Sequence, residues 1–268
     1  MKIDSKGIHI HFRERGSGPG TDGAPALVFL HYWGGSSRTW DGVIAALPNA
    51  YRSVALDHRG WGDSDKPGAG YALVDLADDA LRVVDALDLN RYVLVGHSMG
   101  GKVAQLLASR RPQSLAGLVL VAPSPPVPLA LPPAALAAME GAYASRASIE
   151  ATIDGMLCAK PLSAAHREQV IEDSLRGGSA AKAAWPRSTS QEDISRDVSS
   201  IDVPTAIIAG EMDRVDSVAT LKAELLPRIP RAAMHVLPGT GHLSPLESPD
   251  RIASLIHAFV QNLEVARG

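Results

Sequence analysis

Residues 96–101 read Gly96-His97-Ser98-Met99-Gly100-Gly101. They lie directly after the apolar run Tyr92-Val93-Leu94-Val95 and directly before a stretch of helical character, Lys102-Val103-Ala104-Gln105-Leu106-Leu107-Ala108. A serine flanked by glycines at two-residue spacing is a weak signal by itself. Between a strand and a helix it dictates a sharp turn that leaves no room for a Cβ at Gly96 or Gly100 and projects the middle residue outward. The Ser98 hydroxyl is then presented at the end of a strand, beside the unpaired N–H groups that open the next helix.

The rest of the chain repeats the alternation. Residues 8–13 alternate in polarity, as a half-buried strand does. Residues 16–23 are rich in turn formers. Residues 26–30 are a short continuous apolar run, the pattern of a strand covered on both faces. Helices are expected over 36–47, 71–87, after Ser98, 218–226 and 249–262, and further strands over 52–56, 92–95, 118–121, 206–209 and 234–237. The 71–87 stretch carries Leu73, Leu76, Ala77, Ala80, Val83, Val84 and Leu87 on one face and acids on the other. Strands alternating with helices call for a parallel sheet with helices on both faces, an α/β fold. One stretch breaks the rhythm. Residues 124–199 open with a proline-rich hinge and contain helical segments without a convincing strand. They are expected to form a lid between two parts of one core, 1–123 and 200–268.

A serine hydroxyl needs a base to take its proton, and the base needs an orienting acid. Of nine histidines, His242 sits in the glycine-rich loop Pro238-Gly239-Thr240-Gly241-His242-Leu243-Ser244, between a strand and the last helix. Loops at the carboxyl ends of parallel strands are where such sheets place their chemistry. His235 falls within a strand and His257 on a helix face. Asp213 follows the 206–209 strand and is the expected acid. Asp216, three residues on, is its rival and is otherwise read as the cap of the 218–226 helix. The chain order Ser98, Asp213, His242 is the one expected of a nucleophile elbow.

With these residues in view, the chain resembles the α/β-hydrolase family nearly end to end. The resemblance is carried by residues 96–101, by the early loop His31-Tyr32-Trp33-Gly34-Gly35-Ser36, by the turn Asp57-His58-Arg59-Gly60-Trp61-Gly62-Asp63-Ser64, and by the Asp213 and His242 loops. Within the family it is most similar to small serine esterases, enol-lactonases and cofactor-free haloperoxidase-like perhydrolases. Ser98 separates it from the dehalogenases and epoxide hydrolases, which carry aspartate there. The resemblance implies an eight-stranded, mostly parallel sheet, a helical lid before the acid-bearing strand, and hydrolysis through an acyl-enzyme without cofactor or metal. It also implies two backbone donors to the oxyanion, the Met99 and Trp33 N–H groups. Relatives usually carry glycine where this chain has Tyr32, so the Trp33 amide is the position most open to displacement.

The expected substrate is a small carboxylic ester or lactone. C–C bond hydrolysis, perhydrolysis, and ligand binding without turnover remain the competing readings. Aromatic residues make up only 4% of the chain, yet Tyr32, Trp33 and Trp40 cluster, with Trp61 in the next loop. Trp40 suits packing; Tyr32 and Trp33 suit a pocket. In the lid, Met139, Tyr143, Met156, Leu157 and Trp185 are candidates to face the cleft. The charge-free entrance from Pro112 to Met139 favours an apolar or aromatic substrate over a sugar or phosphate.

Other classes fit poorly. A net charge of −3 gives no attraction to nucleic acid or anionic membrane. The single cysteine, Cys158, rules out an intrachain disulfide and a thiolate metal cluster. His31, His58 and His97 each follow a strand and could suggest zinc, but loop orientation by hydrogen bonds is the better account. Asp57 and Arg59 are expected to pair and brace a loop. The proline-broken 112–139 stretch does not suit a membrane span, and the N-terminus lacks a signal-peptide core. The expectation is a soluble, cytoplasmic protein, monomer and homodimer being equally compatible.

Overall fold

The computed structural model describes residues 1–16, 24–129 and 131–265. The expected loop at 16–23 lies, apart from Gly16, outside them. In chain order the elements are β1 (Lys2–Ser5), β2 (Ile8–Arg15), β3 (Ala26–Leu30), α1 (Asp41–Ala46), β4 (Ser53–Leu56), α2 (Leu73–Ala86), β5 (Tyr92–His97), α3 (Met99–Ser109) and β6 (Leu115–Val121). After β6 come four helices, α4 (Pro133–Gly141), α5 (Arg146–Thr152), α6 (Ala164–Arg176) and α7 (Ser179–Arg187), with no strand among the described residues. The chain closes with β7 (Thr205–Gly210), α8 (Val218–Glu224), β8 (Ala232–Leu237), α9 (Ser244–Glu247) and α10 (Pro249–Val265). The eight strands form one sheet in the order β1-β2-β4-β3-β5-β6-β7-β8. β1 and β2 pair antiparallel, β2 meets β4 antiparallel, and β3 through β8 run parallel. This is the mostly parallel eight-stranded sheet that the resemblance implied.

The central strands bury both faces, which is why their sequences are continuous apolar runs. Alternate residues feed opposite cores. Val28, Leu30, Leu94, Leu118, Leu120 and Ile207 pack toward Leu76, Ala80 and Val83 of α2 and Val103 and Leu107 of α3. Leu27, Phe29, Val93, Val95, Val119 and Ile208 pack toward Val43 of α1 and Ile252, Ile256 and Val260 of α10. Each fully buried aliphatic side chain contributes about 1.5–3 kcal/mol. A one-residue slip would exchange the two sets, so the register is tightly specified.

Two local readings are corrected. The helix expected over 36–47 opens as a tight 3-10 turn, Ser37–Trp40, before α1. Its first amides are claimed by side chains: Arg38 N–H donates to Ser36 Oγ (3.2 Å) and Ser37 N–H to Asp57 Oδ1 (2.6 Å). Asp57 does not pair with Arg59. Its carboxylate is taken by the Ser37 amide, the Asp63 amide (2.9 Å) and His11 Nδ1 (2.8 Å). Arg59 turns instead to Asp79 on α2, with Nε–Oδ2 at 2.6 Å and Nη2–Oδ1 at 2.7 Å. Asp79 also accepts the Ser5 hydroxyl (2.5 Å), joining β1, α2 and the β4 loop. The Asp79 side chain is wholly buried. Asp79→Ala leaves the Arg59 charge without its partner, and the expected loss of stability is about 3–5 kcal/mol, read by urea or guanidinium unfolding.

Candidate active site

Ser98 ends β5 and opens α3 with φ 53° and ψ −117°, a left-handed conformation for a residue with a side chain. Such a conformation costs about 1–3 kcal/mol and persists only where the surroundings impose it. They do so through close packing of α3 onto β3. A Cβ at Gly100 would lie 2.6 Å from both the Leu30 and His31 carbonyl oxygens. The helix can approach only because that position is glycine.

The three residues expected to act together meet. Ser98 Oγ–H donates to His242 Nε2 at 2.9 Å, and His242 Nδ1–H donates to Asp213 Oδ2 at 2.9 Å. The second bond places the imidazole proton on Nδ1 and leaves Nε2 as the acceptor. Asp213 Oδ1 is held by the amides of Val215 (2.8 Å) and Asp216 (3.0 Å). All three residues are buried, with Ser98 only 7% exposed. Burial by itself would lower the His242 pKa. The Asp213 charge and hydrogen bond, with the charges of Asp216 and Glu247, outweigh it and raise the imidazole above its ordinary value.

The expected backbone donors are free. Neither the Met99 nor the Trp33 N–H donates to any group among the described residues. The Tyr32 ring packs 5.2 Å from that of His97, and a Cβ on Gly35 would reach within 2.5 Å of it. Of the residues expected to line a pocket, Tyr32, Trp33, Tyr143, Leu157 and Trp185 are buried and Met139 is partly buried against the same core. Met156 is 47% exposed and faces outward. Tyr143 packs against Trp33 with ring centres 4.2 Å apart and planes tilted by 40°, and donates its hydroxyl to the Trp33 carbonyl (2.9 Å).

The three strand-end histidines do not gather as ligands. His31 Nδ1–H donates to Tyr32 O (2.7 Å) while its Nε2 accepts the His58 amide (3.0 Å). His97 Nε2–H donates to the His242 carbonyl (2.8 Å), fixing the loop that carries the imidazole. The ring of His58 has no hydrogen-bond partner among the described residues. Burial holds His31 below, and His58 and His97 well below, the ordinary histidine value.

Three further charged groups surround the site. Glu247 accepts the Gly241 amide (3.1 Å) and the Ala159 amide (3.0 Å), tying the His242 loop to the segment after α5. Lys102 is fully buried and donates to the carbonyls of Val127 (3.0 Å) and Ser190 (3.1 Å), near the two ends of the four-helix segment. Burial pushes its ammonium down to about 8. Asp216 is buried and does not cap α8, because Ser217 does so by accepting the Thr220 amide (3.1 Å). The available signals for the first two were an acid within the apolar Ser244-Pro245-Leu246 turn and a lone lysine beginning an apolar helix.

The model of the Alpha/beta hydrolase family matches residues 27–255. A non-heme haloperoxidase of Rhodococcus erythropolis is 29% identical, over 96% of this chain and 98% of its own length. The solved structure of Est816, described as an N-acyl homoserine lactone degrading enzyme, superposes with a TM-score of 0.80 at 28% identity, covering 97% of this chain and all (100%) of that one. An esterase from Exiguobacterium antarcticum shares the fold, with a TM-score of 0.86 at 22% identity over 95% and 96% of the two chains.

Lys102→Met removes both buried charge-assisted bonds while keeping the aliphatic stem. The expected cost is about 2–3 kcal/mol, seen as a lower melting temperature, with faster proteolytic cleavage between residues 127 and 190.

Proposed function

Because this chain belongs to the alpha/beta hydrolase family, we propose that it is a serine hydrolase that cleaves a small, largely apolar or aromatic carboxylic ester or lactone through an acyl-enzyme. The reading is carried by the two consecutive 2.9 Å contacts, Ser98 to His242 and His242 to Asp213. In this reading Ser98 Oγ attacks the carbonyl carbon as its proton passes to His242 Nε2. Asp213 holds the imidazole in the required tautomer and offsets the imidazolium charge. The Met99 and Trp33 amides receive the oxyanion, each such donor being worth about 2.7–4 kcal/mol. His242 returns the proton to the leaving oxygen, then takes one from water, whose attack releases the acid and restores Ser98.

Residues 124–199 act as a lid in the same reading. Tyr143 to Trp33 O, Ser174 to Gly34 O (3.0 Å) and the Arg38–Asp173 pair (2.7 Å) fasten its helices over the Trp33 loop. Ser98 is only 7% exposed, so in this reading substrate reaches it by movement of the lid. Tyr32, Trp33 and Tyr143 are the aromatic lining assigned to the acyl group, with Met139 and Trp185 behind them. The haloperoxidase relative favours a second reading at the same serine, in which peroxide replaces water as acceptor of the acyl group.

Ser98→Ala is expected to lower turnover of p-nitrophenyl acetate and butyrate by at least about a thousandfold with an unchanged melting temperature. A folded variant that still turned these esters over at the native rate would remove Ser98 as nucleophile. Only neutral His242 can accept the serine proton. Since its pKa is raised, kcat/KM is expected to fall as pH drops through a midpoint above the ordinary histidine value of 6.5. A pH profile between 5 and 9 reads that midpoint. Adding peroxide to an acetate buffer and measuring peracid tests the second reading.

A further inference from the structure

Asp216 stands three residues beyond Asp213, and its backbone N–H donates to Asp213 Oδ1 at 3.0 Å, so one turn holds both residues. The residue is only 3% exposed; no protein group among the described residues donates to its carboxyl oxygens, which are not among the atoms wholly sealed from solvent. A desolvated carboxyl without donors opposes folding. Neither helix capping nor loop bracing accounts for its presence, since Ser217 caps α8 and Asp213 braces the turn.

The turn that holds Asp216 against Asp213 (3.0 Å) places it one hydrogen bond from the acid that meets His242, and the charges that act on its carboxyl are those of His242 from the β8–α9 loop, Asp213 from its own turn and Lys102 from α3. Those facing His242 are Asp213, Asp216, Glu247 of α9 and His97 of β5. Asp213 is committed to the imidazole and to two amides. Glu247 is committed to the Gly241 and Ala159 amides. Lys102 is committed to two carbonyls. Of the three acids around the imidazole, Asp216 is the one whose oxygens hold no protein donor among the described residues.

We propose that Asp216 is a positioning residue for His242, a second carboxyl whose negative charge adds to that of Asp213 and stabilises the imidazolium formed when Ser98 gives up its proton. This inference rests on the reading of Ser98 and His242 as nucleophile and base. Burial, with the neighbouring Asp213, pushes the Asp216 carboxyl up to about 7 against the opposing pull of His242 and Lys102. Its charge therefore develops across neutrality, and the imidazolium gains most from it in the alkaline half of the range. The two groups titrate as a coupled pair.

The test uses the full chain with isotope-labelled histidine. The His242 ring is assigned by comparison with His242→Gln and titrated by NMR in the wild type, Asp216→Asn and Asp216→Val. The pH profile of kcat/KM on p-nitrophenyl acetate is measured alongside. Both variants are expected to lower the His242 midpoint by about one pH unit and to move the acid limb of kcat/KM by the same amount. At pH 8 kcat should fall about tenfold with little change in KM. Asp216→Val should melt above the wild type, because it removes an unpaired buried carboxyl. Superimposable His242 titrations in either folded variant overturn the inference, as does a lowered melting temperature with an unmoved titration, which marks a purely structural carboxyl. A shifted His242 titration in a chain that turns over no ester supports the electrostatic role of Asp216 and removes the hydrolase reading instead.

Discussion

The hydrogen bond from His242 Nδ1 to Asp213 Oδ2 is the contact on which the site depends. It determines which imidazole nitrogen carries the proton, and so whether Nε2 can accept from Ser98 at all. Its two ends sit on loops after different strands, Asp213 beyond β7 and His242 beyond β8. The bond therefore exists only when the parallel pairing of β7 with β8 is in register, with Gly210 opposite Leu237. Ser98 is brought to the same edge through β5 and β6, where His97 lies opposite Val121. Sheet register, set by which apolar residue faces which core, is thus converted into angstrom-scale placement of three polar side chains. The strained backbone at Ser98 is maintained by the same packing, because α3 cannot relax away from β3 without exposing Val103 and Leu107.

Around this bond the protein has buried several charged or ionisable groups in one region. Asp213, Asp216, His242, His97, Lys102 and Glu247 are each less than a tenth exposed. A region of this kind is poor for stability, since desolvation opposes ionisation of every member. Its chemical advantage is that charges interact there more strongly than in water. The raised pKa of His242 is the net result of burial acting one way and three acids acting the other. Neutral His97 is placed where a charged imidazole would oppose protonation of His242, and burial keeps it uncharged.

What could be read from the sequence divides along a physical line. Ser98, His242 and Asp213 were legible because each is bracketed by local punctuation: glycines around a strand end, a glycine-rich loop before a helix, an acid just past an apolar run. The sheet was legible because burial on both faces leaves continuous apolar strands. Partner choice was less legible. Sequence proximity points Arg59 to Asp57, yet it reaches Asp79 on α2, because Asp57 is claimed by His11 and two amides. Asp before a helix is usually its cap, but at α8 Ser217 stands one residue nearer the first turn and takes that place from Asp216. Met156 looked like a cleft residue by composition, and only the packing of the segment places it outside. Which face an inserted helix presents is set by long-range contacts such as Tyr143 with Trp33, and no local spacing encodes these.

The attachment of the inserted segment bears on how the proposed lid would move. Its contacts with the Trp33 loop, through Tyr143, Ser174 and Asp173, lie in the middle of the segment. Those of Lys102 lie near its ends, at Val127 and Ser190. The Tyr143 and Ser174 bonds are neutral and cost about 0.5–1.5 kcal/mol each to exchange for water, whereas the Asp173 carboxylate is buried and paired with Arg38 at 2.7 Å. Separating a fully buried ammonium from its acceptors costs more, because the charge is left desolvated. In the proposed lid reading, release of the middle of the segment has to open the Arg38–Asp173 pair as well, while Lys102 holds the ends to α3, the helix that begins immediately after Ser98. In the same proposed reading, opening would uncover the serine without disturbing the turn that presents it, and reclosure would return Tyr143 to the Trp33 carbonyl. In the proposed reading the same loop carries the acyl pocket, one oxyanion donor and the latch of the lid, which would couple substrate fit at Trp33 to closure.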